Sequence, residues 1–251
     1  MMAPRSVALP MYLSKRQAVV SLWDVLQTRL QQAGCRGVPQ ALVWPEELLA
    51  HWRDPQLLLG QTCGYPLTHA LAAAVQLVGV FRYNAPGCDG IFCRSQLVAF
   101  NSDDSQSGYN ALRAAVAPLA LRGRFFAEVI ATGGHAASMA AVQQGSADIA
   151  AIDCVTLDGL RRNMPQALAG LCTIGQTSAY PGLPLITGQS TSAADLRALR
   201  EALATLVRDP AAADALAALG IVGFQTLALD TYQVCIDMRL QAQALGYPEL
   251  A

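Results

Sequence analysis

Ser105 and Ser107 bracket Gln106 and run directly into Gly108, within the polar stretch Asn101-Ser102-Asp103-Asp104-Ser105-Gln106-Ser107-Gly108-Tyr109-Asn110. An apolar run precedes this stretch and an amphipathic one follows, so the turn is expected to open a helix. The first N–H groups of a helix lack intrahelical partners and sit at the positive end of its macrodipole. Two hydroxyls and a glycine at that point let an oxyanion approach the backbone closely. The same residues also suit an ordinary N-cap, with Ser105 or Ser107 satisfying the helix and nothing bound.

Two further stretches repeat the layout. In Thr132-Gly133-Gly134-His135-Ala136-Ala137-Ser138-Met139, a glycine turn leads into a helix with His135 in its first turn. Beside an anion its ring N–H would be a good donor; without one it is an incidental surface histidine. In Gly145-Ser146-Ala147-Asp148-Ile149-Ala150-Ala151-Ile152-Asp153, an apolar strand ends on Asp153. Ligands of open α/β sheets gather at the carboxyl ends of strands, where this carboxylate would accept from a ligand O–H or N–H. It could equally cap the helix that follows.

These residues must be positioned by the elements around them. Residues 6–11 read as a first strand. Over 16–33, Val19, Leu22, Trp23, Leu26 and Leu30 fall on one helical face, and Gly34 stops the helix. A buried strand over 57–62 enters the turn Cys63-Gly64-Tyr65-Pro66, followed by a helix to about 74 and a strand over 76–83. After the turn formers Asn84-Ala85-Pro86-Gly87, strands are expected at 96–101, 125–131, 147–153 and 171–176. Helices are expected after Ser105, over 134–144 and over 157–163. Beyond Tyr180-Pro181-Gly182-Leu183-Pro184 the chain reads as mostly helical. Ser192 caps the first helix there, Asp209-Pro210 opens the next and Gly220 ends it; a last helix covers 230–245. The alternation predicts an α/β fold with two lobes, each a mixed, mostly parallel sheet flanked by helices. The two turn clusters divide it into an outer lobe of 1–85 and 184–251 and an inserted lobe of 86–183. Two chain crossings then make a hinge, with the ligand cleft between the lobes.

Composition narrows the function. The 251 residues carry 17 Lys+Arg against 18 Asp+Glu, a formal net charge of −1. Nucleic-acid binding needs an excess of Lys and Arg, so no nucleic-acid partner is expected. Hydrophobic residues make up 53%, yet no run approaches the roughly 18 apolar residues of a membrane span, so no membrane insertion is expected. The N-terminus shows no unbroken apolar core of a signal peptide. The chain as written is therefore expected in the cytoplasm, or in the periplasm if its native export signal is missing. Seven cysteines scattered singly fit a reducing compartment. Cys88 and Cys93 are too far apart for a CxxC pair and have no nearby histidine, so they read as structural thiols and no metal is expected. No cofactor motif is present.

In order and spacing, the three stretches resemble the phosphate/phosphonate-binding protein family of ABC transporters, which has the type 2 periplasmic-binding-protein fold. The family's Ser-x-Ser-Gly turn reads here as Ser105-Gln106-Ser107-Gly108. Its Gly-x-His block reads as Gly133-Gly134-His135 through Val142, Gly145 and Asp148, and its strand-closing acid as Asp153. The likeness extends to Tyr12, to Gln61-Thr62-Cys63-Gly64-Tyr65 and to Pro181-Gly182-Leu183-Pro184, although the stretch between Cys88 and Ser105 is shortened. The resemblance implies an anion cradle of Ser105, Gln106, Ser107 and Gly108, with His135 as second donor and Asp153 as acceptor. It also implies that Tyr12 and Tyr65 close over the ligand, with Tyr109 and Tyr180 as weaker candidates. The inferred site holds no Lys or Arg, so hydroxyls, N–H dipoles and one histidine would carry the anion.

The expected function is binding of a small oxyanion such as phosphate or a phosphonate, with an ABC permease or another protein as partner. An alternative is a cytoplasmic sensory module with the same site. A further alternative is an enzyme using Cys63 or a serine as nucleophile and His135 as base, for which no G-x-S-x-G, HExxH or paired-carboxylate motif speaks.

Overall fold

The computed structural model describes residues 5–97 and 105–251; the side chains of 12–14 lie outside the description. The strands are β1 (Ser6–Ala8), β2 (Leu57–Gln61), β3 (Val75–Tyr83), β4 (Phe92–Cys93), β5 (Ser95–Leu97), β6 (Ala151–Asp153), β7 (Tyr180–Pro181), β8 (Pro184–Gly188) and β9 (Ile221–Gln225). The helices are α1 (Arg16–Gln32), α2 (Leu48–Trp52), α3 (Gly64–Pro66), α4 (Ala111–Val116), α5 (His135–Gln143), α6 (Cys154–Asn163), α7 (Ala193–Leu206), α8 (Ala213–Leu219) and α9 (Gln233–Ala244). Among the described residues no helix is long and apolar enough to cross a membrane.

The chain forms two compact units. The first takes the chain up to Cys63, then His69–Asn84 and Gly182–Leu229; the second takes Gly64–Thr68, Ala85–Pro181 and Asp230–Ala251. Two of the boundaries fall at 84/85 and 181/182. Residues 64–68 and 230–251, however, belong with the second unit, so the chain passes between units at five places rather than two. Packing explains the reassignment. The Asn110 side chain donates to the Cys235 carbonyl (2.8 Å), and Ala242 and Tyr247 share a core with Tyr109, Leu112 and Val116. Gly64 lies so close to α9 that a Cβ there would stand 2.8 Å from Cys235 Sγ.

The first unit is a five-stranded sheet in the order β1-β2-β8-β3-β9. The β2 and β8 strands are buried along their whole length, as central strands must be. The expected mostly parallel pairing is corrected: β1–β2 is parallel, while β2–β8, β3–β8 and β3–β9 are antiparallel. The β8 strand, which follows the long excursion into the second unit, runs between two strands of opposite sense. All five apolar residues on the predicted face of α1 are buried. Ser192 Oγ caps α7 by accepting from the Asp195 amide (3.1 Å), and Gly220 ends α8 at φ 70°, a conformation glycine adopts without strain.

The second unit holds two short antiparallel ladders, β4–β7 and β5–β6, with helices packed around them. Three expected strands differ. No strand forms over 125–131, because the Phe125 and Phe126 amides both donate to the carbonyl of Ala251 (2.7 and 2.9 Å). Over 171–176 only Gln176 makes a bridge, to Gln96. The strand at 147–153 is reduced to β6. Of the strand expected at 96–101, residues 98–101 lie outside the described residues, as does the start of the polar stretch, 101–104.

Candidate functional site

The helix expected after Ser105 begins with a wide π turn, Gln106–Asn110, and continues as α4. Ser105 is its N-cap: its backbone is extended and its Oγ accepts from the Gly108 amide (2.8 Å). The wide turn is supported from inside the unit. Gln106 Nε2 contacts Met238 Sδ, Asn110 donates to Gln106 Oε1 (3.0 Å), and Arg113 donates to Asn110 Oδ1 (2.9 Å). The Gln106 side chain therefore faces the core, and the residue offers its backbone amide at the turn. Among the described residues the buried amides of Gln106 and Ser107 have no acceptor, which is the donor arrangement of an anion-receptive helix start.

Ser105, Ser107, His135 and Asp153 are brought into one chain of contacts. Ser105 Oγ lies 3.3 Å from Ser107 Oγ, Ser107 Oγ lies 3.3 Å from His135 Nε2, and His135 Nε2 lies 3.0 Å from Asp153 Oδ2. The β5–β6 ladder places Asp153 opposite Ser95, just under the turn. His135 arrives from the first turn of α5, whose entry is fixed by a 2.6 Å hydrogen bond between the Thr132 and Ser138 hydroxyls.

Proton counting gives this chain a direction. Burial alone would raise the Asp153 carboxyl, but hydrogen bonding and charge from His135, together with the Thr156 amide, hold it below the ordinary carboxylate value. The ionised carboxylate requires the proton on His135 Nε2, which then donates to Asp153 and faces Ser107 Oγ as a donor. The two serines carry two hydroxyl protons, and their single mutual contact uses only one. Among the described residues one hydroxyl proton is left to donate, beside the two amides.

Asp153 does both jobs the sequence allowed. Its Oδ2 meets His135, while its Oδ1 accepts from the Thr156 amide (2.8 Å) and caps α6. Tyr65 sits half-buried in α3 of the second unit, and Tyr12 lies in the first unit in a turn of 3-10 helix. Tyr109, a weaker candidate, is a core residue packed with Leu112 and Val116. Cys63 belongs to the first unit, whereas His135 lies in the second, with its Nε2 between Asp153 and Ser107.

Ser95 was missed in the sequence. Its hydroxyl donates to the Ser107 carbonyl (3.1 Å), and its single proton is thereby used. The 2.7 Å contact with Tyr180 Oη must then run from the tyrosine O–H to Ser95 Oγ. Burial pushes the Tyr180 phenol well up, so that proton stays in place. Tyr180, Ser95 and Ser107 thus form a relay that fixes the cradle backbone. The 85 residues separating Ser95 from Tyr180 left no local pattern to read.

Three thiols also meet in this unit. Cys88 Sγ lies 3.2 Å from Cys93 Sγ and 3.4 Å from Cys154 Sγ. The two neighbouring thiols favour the thiolate of Cys154, while their own thiols are pushed up.

A family model for periplasmic substrate-binding proteins of phosphonate ABC transporters matches residues 91–232, more than half of the chain. No curated protein sequence matches it. Several solved structures share the fold. PhnD1 from Prochlorococcus marinus, in complex with methylphosphonate, superposes with a TM-score of 0.77 at 13% identity, covering 95% of this chain and 98% of that one. A binding-protein component of an ABC phosphonate transporter from Pseudomonas aeruginosa gives 0.74 at 17% identity, covering 97% and 88%. XAC2383 from Xanthomonas citri, bound to ATP, gives 0.71 at 15% identity, covering 97% and 98%.

Proposed function

Because this chain belongs to the family of periplasmic substrate-binding proteins of phosphonate ABC transporters, we propose that its second unit binds the phosphorus oxyanion of a small phosphonate or phosphate. The observation that carries this reading is the contact chain from Ser105 through Ser107 and His135 to Asp153, beside two buried amides with no acceptor among the described residues. The anion would take hydrogen bonds from the Gln106 and Ser107 amides and from the one remaining serine hydroxyl proton, with Gly108 giving room for its approach. Hydrogen bonds to charged groups are worth about 1.5–3 kcal/mol each, so a few suffice without any Lys or Arg.

In this reading His135 is a donor backed by Asp153. The carboxylate acts mainly through the histidine and favours a ligand that still carries a proton, since a second full negative charge nearby costs energy. Tyr12 and Tyr65 enter the reading through the family resemblance alone. The ligand is released unchanged, and the partner is the membrane permease of an ABC system, with the protein working in the periplasm. The Ser107–His135 contact is the one a serine nucleophile would use, but the same His135 nitrogen also meets Asp153, and binding without reaction is the reading carried forward.

The test is calorimetric titration and thermal shift with methylphosphonate, aminoethylphosphonate, phosphate, sulfate and ATP, on the wild type and a Ser105→Ala/Ser107→Ala variant. A ligand at a hundredfold excess over Kd stabilises by about 2.7 kcal/mol, which a melting curve resolves. Methylphosphonate or phosphate should bind the wild type and bind the double variant at least about tenfold more weakly. Equal binding by the two proteins refutes the cradle. Binding of ATP with no response to the small anions would move the ligand class to nucleotides.

A further inference from the structure

The Cys88, Cys93 and Cys154 sulfurs all lie within 4.8 Å of one another, and no histidine or carboxylate joins them among the described residues. The fold has to assemble this group, because Cys154 is 66 residues from Cys88. Each thiol comes from a pinned stretch of backbone. The Cys88 amide donates to Ala85 (2.9 Å), and the turn after it is closed by two hydrogen bonds between Asp89 and Phe92 (2.8 and 2.9 Å). Cys93 ends β4, in register with Tyr180 of β7. Cys154 opens α6, with its amide donating to Arg94 (3.1 Å). Gly87, at φ 104°, sits where a Cβ would come within 3.0 Å of Cys154 Cβ. The loop thus approaches the third thiol as closely as glycine allows.

We propose that Cys88, Cys93 and Cys154 form a three-thiolate site for a soft d10 cation such as Zn2+ or Cu+. Thiolate ligands select these ions over Mg2+ and Ca2+, which demand oxygen. With metal–sulfur bonds of about 2.3 Å, neighbouring sulfurs stand about 3.8–4.0 Å apart. The observed 3.2 and 3.4 Å contacts need only spread by about half an ångström. A disulfide would need one pair to close by more than about an ångström, to about 2.05 Å, and would leave the third thiol unused. Cys93 and Cys154 are buried while Cys88 is half-buried, which gives the ion one side of entry and leaves a fourth coordination position for water. As the ion binds, up to three S–H protons pass to solvent and three sulfur–metal bonds form, with no change of oxidation state.

The site is tested on the whole protein, fully reduced and kept anaerobic, by separate titrations with Zn2+, Cd2+ and Cu+. Chelator competition reads affinity, and for Cd2+ the sulfur-to-metal charge-transfer absorption reads thiolate coordination. The expected result is one ion per chain, bound by thiolates. Cys88→Ser and Cys93→Ser should each weaken binding by more than the roughly 10–100-fold that outer-shell changes cost. Cys172→Ser, at an exposed position, should bind like the wild type. Cys88 lies in a loop, so Cys88→Ser tests the site even if the buried substitutions unfold the chain; circular dichroism checks each fold. A folded, reduced protein that takes up none of the three ions overturns the proposal. So does uptake that survives Cys88→Ser and Cys93→Ser unchanged, or uptake that depends on Cys172.

Discussion

His135 Nε2 stands 3.0 Å from Asp153 Oδ2, which joins the first turn of α5 to the residue that caps α6. One carboxylate therefore holds two helices in place at the candidate site. Asp153→Asn should keep the cap, since asparagine caps as well as aspartate. Asp153→Ala should lose both the cap and the histidine contact. The alanine variant is expected to be less stable than the asparagine variant by about 1 kcal/mol, measured by urea unfolding. Equal stabilities would show that the cap carries no weight here.

The Tyr180–Ser95–Ser107 relay predicts an effect on binding from a residue outside the cradle. Tyr180→Phe removes the proton given to Ser95 and should cost about 1 kcal/mol of stability. Under the proposed function it should also weaken phosphonate binding several-fold, while Ser95→Ala, which frees the Ser107 carbonyl, should weaken it further. Titration calorimetry on both variants reads this. Unchanged affinity in both would reduce the relay to a structural role.

In the first unit, Asp209 predicts a pH dependence. Its Oδ1 accepts from the Ala211 amide and its Oδ2 meets the Arg29 guanidinium, and the two together lower the carboxyl below its ordinary value. A carboxyl lowered by folding adds stability above its unfolded pKa and loses it as pH falls through the folded value. Asp209→Asn should therefore lower Tm at pH 7, and the gap from the wild type should close as pH falls below the ordinary carboxylate range. A gap that persists at low pH would assign the effect to something other than charge.

Gly79 predicts a packing effect. A Cβ there would lie 2.5 Å from the Gln225 carbonyl and 2.5 Å from the Phe224 ring, on the β3–β9 pairing. Backbone cannot yield as a side chain tip can, so Gly79→Ala should destabilise by about 1–3 kcal/mol. Urea unfolding measures it, and a neutral result would mean that β9 shifts its register freely.

Features carried by adjacent residues were legible in the sequence. The buried face of α1, the Ser192 cap and the Gly220 stop follow from helical periodicity and local backbone preference. The turn from Ser105 to Gly108 and the Asp153 cap belong to the same class. Features that depend on a distant partner were not legible. The apolar run at 125–131 looks like a strand, but the Ala251 carbonyl takes two of its amides. Ser95 gains meaning only when Tyr180 arrives, and the Cys88–Cys93 pair only when the fold adds Cys154. The direction of β8 was hidden for a related reason: its neighbours in the sheet are far away in the chain.

The five passages of the chain between units also bear on how this binding unit could be moved or copied. Residues 85–181 carry the serines, His135 and Asp153, yet they do not make a transferable module. The Met238 contact to Gln106, the Cys235 carbonyl under Asn110 and the Pro248 carbonyl that receives Arg113 all come from 230–251. A chimaera that grafts the middle segment into another scaffold would thus carry the proposed ligand-binding groups without the groups that shape the π turn. Exchanging specificity between relatives should require the two segments to be swapped together.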